Sequence, residues 1–216
     1  MYLATRQELL DVARLVYDRH LTNAAGSNFS GRAAEDKLYI TPTGNAKHTR
    51  LRMSPDDLML VGLDGTVHEG HGKLSVSWET HRRMYREFGF VGAAIHAHPR
   101  QATIFACQTE PMPPLMDAMK KYGPIPVVPR YLKVDSPAFG DWIVEVFRAK
   151  GDSFAKHGHA VFYPFHGVLT VGPTLDDAYD LLERIEYNAT AILGCRLMGF
   201  STPEMKEYPL FKGDYE

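Results

Sequence analysis

From residue 5 onward, apolar side chains recur at helical spacing (Leu9, Leu10, Val12, Ala13, Val16, Tyr17), which predicts a helix over 5–21. Thr5 with Glu8 three positions later is a capping-box pattern for its start. The period then stops. NAAGSNFSGRA (23–33) reads as small and polar, a loop feeding a strand. KLYITPTG (37–44) alternates as a strand does and ends in a Thr-Pro-Thr-Gly turn. DDLMLVGLDGTVHEG (56–70) predicts two short strands around the Asp64-Gly65 hairpin turn.

SVSWETHRRMYREFG (75–89) predicts a helix capped by Ser75 or Ser77, with Glu79 in its first turn and Gly89 as its stop. VGAAIHAH (91–98) is a short buried strand, and RQATIFACQT (100–109) is a helix leaving it. PIPVVPRYL (124–132) is extended, kept from a central position by its prolines. DWIVEVFRAKG (141–151) is helical, and AVFYPFHGVLTVG (160–172) is two apolar runs meeting at Pro164 to Gly167. From Thr174, a cap followed by Asp176 and Asp177, a long helix runs to about 198. Its apolar residues (Leu181, Leu182, Ile185, Ala189, Ile192, Leu193, Leu197) occupy more than one face, which implies burial beyond that of a surface helix. The tail from about 200 is polar and expected to be partly ordered. There is no repeat and no linker, so the expectation is one α/β domain over 1–216. Its sheet is central, mixed and mainly antiparallel, flanked by helices.

Composition adds exclusions. At 44 % apolar and 23 % charged residues the chain is globular in type. Net charge is −2 and there is no long basic run, so neither nucleic acid nor an anionic membrane is an expected partner. The charged N-terminal stretch is neither a signal peptide nor a membrane span, which points to the cytoplasm. Cys107 and Cys195 lie in apolar contexts and read as buried free thiols of a reducing compartment.

The chemistry lies in the histidines. His20, His48, His68, His71 and His81 stand among charged or turn residues and read as surface groups, and His157 and His159 read as a surface loop. His96, His98 and His166 differ. Each follows an apolar run, and Pro99 and Gly167 place them at strand ends, where sites are assembled. Residues i and i+2 of a strand share a face. Three neutral imidazoles with a fourth position open is a catalytic rather than a structural zinc pattern. Three unrelated histidines bound to backbone groups is the alternative reading.

Four blocks in order, GSNFSGR (26–32), YITPTG (39–44), 75–106 and 165–194, resemble the class II aldolase/adducin family over nearly the whole chain. The resemblance implies a zinc site of His96, His98 and His166. It also implies a substrate phosphate held by Asn28 and Ser30 of the Gly-Ser-Asn-Phe-Ser segment, by Thr43 and Gly44, and by Ser75. A homo-oligomer, most often a tetramer, and a small sugar-phosphate substrate are implied with it. Short hydroxyl and amide side chains beside glycine suit an anion.

The chain departs from the family at its acid/base. Aligned back from His96 and His81, the family's carboxylate falls on Ser77 and the preceding serine on Val76. Glu79 is the nearest carboxylate; it either reaches the site or favours the helix N-terminus. The segment that carries the epimerase aspartate aligns with Met119, with Asp117 close by, which argues against epimerisation. Tyr208 and Tyr215 are further candidates for proton transfer. The resemblance therefore implies a zinc-dependent aldolase that cleaves a ketose through a metal-stabilised enediolate. The alternatives are a decarboxylase or other lyase acting on a non-phosphorylated substrate, or a non-catalytic association domain like the adducin head.

Overall fold

The Thr5 hydroxyl accepts from the Glu8 amide at 3.2 Å, and the Glu8 carboxylate accepts from the Thr5 amide at 2.7 Å. The chain thus enters α1 (Arg6–Asp18) through the capping box its sequence contains. The computed structural model describes residues 1–108, 110–128, 132–133 and 136–200. The elements that follow are β1 (Asn28–Ala34), β2 (Lys37–Ile40), α2 (Asn45–Thr49), β3 (Met59–Gly62), β4 (Val67–Glu69), α3 (Trp78–Glu87) and β5 (Ala93–Ala97). They continue with α4 (Arg100–Ala106), α5 (Pro137–Arg148), α6 (Asp152–His157), β6 (His159–Tyr163), β7 (Gly167–Gly172) and α7 (Leu175–Leu197). The expected polar tail and the two C-terminal tyrosines, Tyr208 and Tyr215, lie outside the described residues.

The seven strands form one sheet in the order β4-β3-β2-β1-β5-β7-β6, and every pairing in it is antiparallel. Among the described residues, parallel pairing is limited to an isolated bridge, Val127 to Phe162, where the proline-rich segment runs beside the outer strand β6. Alternation along each strand divides the core between two faces. Phe29, Ile95 and Val168 pack with α1, α4 and α7 on one side. Leu38, Ala94 and Leu169 pack with α3, α5 and α6 on the other. No helix among the described residues is long and apolar enough to cross a membrane.

Four local expectations need correction. Residues 28–33 are not loop but belong to β1, in the middle of the sheet. Small residues are needed there: a Cβ at Gly31 would lie 2.5 Å from that of Ala4. His81 is fully buried rather than at the surface. α3 is polar in sequence, yet its inward stripe is Thr80, His81, Met84 and Tyr85. His159 is buried as the first residue of β6, not part of a surface loop. The cysteines are not buried: Cys107 is exposed at the end of α4, and Cys195 is half-buried on α7.

Candidate metal centre

β5 runs antiparallel between β1 and β7, so its C-terminal end meets the start of both neighbours. In register, His96 stands opposite Asn28 on one side and Leu169 on the other. Alternation puts the His96 ring on the α3/α5 face, where it stacks on Tyr163 of β6 with centroids 4.9 Å apart and an interplanar angle of 18°. Phe139 of α5 packs edge-on against the same tyrosine. His98 follows two residues on, immediately before Pro99.

His166 arrives from the turn between β6 and β7. Phe165 has φ +57°, a left-handed conformation that costs a non-glycine residue about 1–2 kcal/mol. It is held by its amide, which donates to Ala106 O at 2.9 Å, while the His166 amide donates to Tyr163 O at 3.1 Å. Gly167 follows because nothing larger fits: a Cβ there would lie 2.4 Å from Ala97 O and 2.6 Å from His98 Cδ2.

These constraints bring three imidazole nitrogens together. His96 Nε2 is 3.1 Å from His98 Nε2 and 3.3 Å from His166 Nε2, and the three ligand atoms lie within 4.8 Å of one another. Two ligands on a tetrahedral zinc, each bound at the usual zinc–nitrogen length, are about 3.3 Å apart, which the two separations from His96 match. Hydrogen bonding alone accounts for it poorly. His96 Nδ1 lies 3.0 Å from Val168 O, an acceptor, so that nitrogen takes the proton and Nε2 keeps a single lone pair. One lone pair faces two crowding nitrogens, whereas lone pairs converging on a cation satisfy all three. The backbone carbonyl behind His96 is the usual device for fixing the tautomer of a ligand.

The electrostatics agree. Burial, then His98, then His166 hold His96 well below the ordinary histidine range. Burial and then His166 push His98 down to about 4, and burial lowers His166, the most open of the three. Neutral imidazole is the form that binds a metal. Among the described residues, no carboxylate figures in the shifts of these histidines.

Beside the histidines, Asn28 is buried, its Nδ2 donates to Ser75 Oγ at 3.3 Å, and its Oδ1 has no partner among the described residues. The Ser27 hydroxyl is likewise buried without a partner among the described residues. Ser75 Oγ also accepts from the Ser77 amide at 3.2 Å, which ties this corner to the start of α3. Thr43 and Gly44 are exposed in the turn before α2, with the Thr43 amide on Lys73 O, two residues before Ser75. Ser30 lies deeper: its hydroxyl is 2.6 Å from His81 Nδ1 and 2.9 Å from the Tyr85 hydroxyl.

The three expected catalytic residues separate. Ser77, the N-cap of α3, is buried and makes no side-chain capping bond. The Glu79 carboxylate accepts from Arg82 Nε at 2.9 Å and Nη2 at 2.8 Å, with Arg83 at 3.6 Å. The Arg82 bond is the main reason its pKa falls below the usual carboxylate value. Asp117 starts a 3-10 turn packed near α7, with one carboxylate oxygen buried and unpartnered, and is not part of the histidine cluster.

Residues not anticipated also shape the site. Glu186 of α7 accepts from the first amides of α4, and Asn188 accepts from Leu115 and Met116 at 2.9 Å each. Both are polar residues in an amphipathic helix whose partners lie about seventy or more positions away, so local pattern holds no signal for them.

A model of the class II aldolase and adducin N-terminal domain matches residues 7–193. A 3-oxo-tetronate 4-phosphate decarboxylase of Haemophilus influenzae is 26 % identical over 195 residues, 87 % of this chain and 86 % of that protein. A methylthioribulose-1-phosphate dehydratase of Marinobacter nauticus is 25 % identical over 199 residues, 86 % of this chain and 91 % of its own. The crystal structure of L-fuculose-1-phosphate aldolase from Thermus thermophilus superposes with a TM-score of 0.72 at 27 % identity, covering 91 % of this chain and 96 % of that one.

Proposed function

The chain belongs to the class II aldolase and adducin family, and on that premise we propose that it is a zinc-dependent lyase cleaving a carbon–carbon bond of a small, phosphorylated ketose. The observation that carries this reading is the convergence of His96, His98 and His166 on one point, with the His96 tautomer fixed by Val168 O. A divalent ion held there supplies Lewis acidity to substrate oxygens that gain negative charge as the bond breaks. Asn28 and Ser75, beside the histidines, orient the substrate. The backbone of the Thr43-Gly44 turn faces its phosphate, since glycine lets amides approach an anion closely. The unpartnered Asn28 Oδ1 and Ser27 Oγ support a polar ligand in this corner.

A second reading, decarboxylation of a 3-keto acid, is favoured by one specific observation. Position 77 holds serine, and Glu79 is tied to Arg82 and Arg83. Retro-aldol cleavage must take a proton from a hydroxyl, and a serine hydroxyl is a poor base near neutral pH. Loss of carbon dioxide from a 3-keto acid removes no such proton, because the substrate carboxylate is already ionised: its charge forms the second C=O of carbon dioxide while the C–C electrons pass into the enolate. Serine also leaves the site free of a charge that would repel a carboxylate substrate. A non-catalytic role like that of the adducin head is opposed by the intact histidine set.

Cytoplasmic action as a homotetramer accompanies the proposal. The exposed Leu197, Met198 and Phe200 at the end of α7 support association. The test is a panel on zinc-loaded protein: ketose phosphates scored for aldehyde release and 3-keto acids scored for carbon dioxide, each with and without phosphate. Aldehyde release supports the first reading and carbon dioxide the second. No turnover of either class by metal-loaded protein contradicts both.

A further inference from the structure

α4 begins three residues after the strand that carries His96, with His98 and Pro99 between them, and it has no side-chain cap of its own. Its N-cap is Pro99, whose side chain offers no oxygen. The amides of Gln101 and Ala102, in the first turn, have no partner within the helix. Both are satisfied from α7. Glu186 Oε1 accepts from Gln101 N at 3.0 Å, and Oε2 accepts from Gln101 N at 3.1 Å and from Ala102 N at 2.8 Å. A carboxylate in that position does what an N-cap side chain does and also complements the helix dipole.

The contact lies within a few residues of a metal ligand. Ala97 is the last paired residue of β5, opposite Val168. Arg100 is the first residue of α4. Only His98 and Pro99 lie between them, and proline confines the residue before it to extended backbone. His98 is therefore held between two anchors, the strand register on one side and the start of α4 on the other. Glu186 makes the second anchor. We propose that Glu186 is a positioning residue that sets the metal affinity of the three-histidine centre through the start of α4, without itself being a ligand. The inference rests on the metal-site reading above. Loss of a partner that orients a ligand costs about 10- to 100-fold in metal affinity.

Asn188, two residues further along the same helix, provides the control. It is fully buried, accepts from Leu115 and Met116, and donates to Pro113 O at 2.9 Å, so it holds a different loop. Zinc affinity is measured by competition with a chromogenic chelator, alongside thermal melting of the metal-free proteins, for wild type, Glu186→Ala, Glu186→Gln and Asn188→Ala. Glu186→Ala is expected to weaken zinc by about 10- to 100-fold, and Glu186→Gln, which keeps one acceptor, by a smaller measurable factor. Asn188→Ala is expected to melt earlier and bind zinc as wild type does. Glu186→Gln alone decides the matter if the alanine variant does not fold. Wild-type zinc affinity in the Glu186 variants, or an equal loss in Asn188→Ala, overturns the role of Glu186 while leaving the metal centre standing. A wild-type protein that binds no zinc overturns the centre, and this inference with it.

Discussion

Replacing His159 by leucine should make the protein more tolerant of mild acid. The imidazole is buried at the start of β6, edge-on to Phe147 with centroids 5.6 Å apart, and its Nε2 has no partner. Burial, then the nearby Lys150 ammonium, push its pKa down to about 3. In the unfolded chain a histidine titrates near 6.5. Below that value the unfolded state binds the proton and the folded state does not, so stability falls as pH drops from about 6.5 towards 3. At pH 5 the deficit is about 1.5 units, or about 2 kcal/mol at 1.36 kcal/mol per unit. His81, also buried with a pKa pushed to about 3, adds a loss of the same sign, but it is common to both proteins. Urea unfolding at pH 7 and pH 5 measures the difference. Wild type should lose about 2 kcal/mol more than His159→Leu between the two pH values. Equal losses in both proteins would refute the reasoning, because they would mean that position 159 takes up its proton in the folded state.

Glu79→Gln should cost no more than about 1 kcal/mol of stability and leave turnover near wild type, since the carboxylate is held by Arg82 and Arg83. A drop of about 10²- to 10⁴-fold in steady-state rate, the usual worth of a positioned acid/base, would return Glu79 to the chemistry. Gly167→Ala should weaken zinc binding measured by chelator competition, because the new methyl would stand 2.6 Å from His98 Cδ2. Unchanged affinity there would show that the turn yields without moving the ligand. Light scattering at micromolar concentration should give a tetramer, and a monomer would contradict the assembly proposed from the exposed end of α7.

The long elements were readable because their signals are local. α1 and α7 declare themselves through period and through caps at Thr5 and Thr174, both of which make the expected bonds. The clustering of His96, His98 and His166 was legible because a spacing of two at a strand end and a turn glycine after His166 are also local facts. β1 was not readable. Its Asn28, Ser30 and Gly31 look like loop residues until β2 and β5 close over them, and the Ser30 hydroxyl finds His81 fifty-one positions away. His81 and His159 were misjudged for the same reason: their neighbours in sequence are charged or turn-forming, while their neighbours in space are core. The role of Glu79 depended on a competition between the site and two arginines on its own helix, which sequence spacing leaves undecided. Glu186 acts across eighty-four residues and is visible only once α7 lies against α4.

A divalent ion held by His96, His98 and His166 is what the proposed chemistry depends on. The most direct measurement is metal content, by elemental analysis of protein dialysed against zinc and then buffer, for wild type and His96→Ala. Wild type should carry about one zinc per chain, as for an open three-histidine site, and a His96→Ala protein that remains folded should lose it. Zinc retained at full occupancy in His96→Ala, or absent from the wild type, would contradict it.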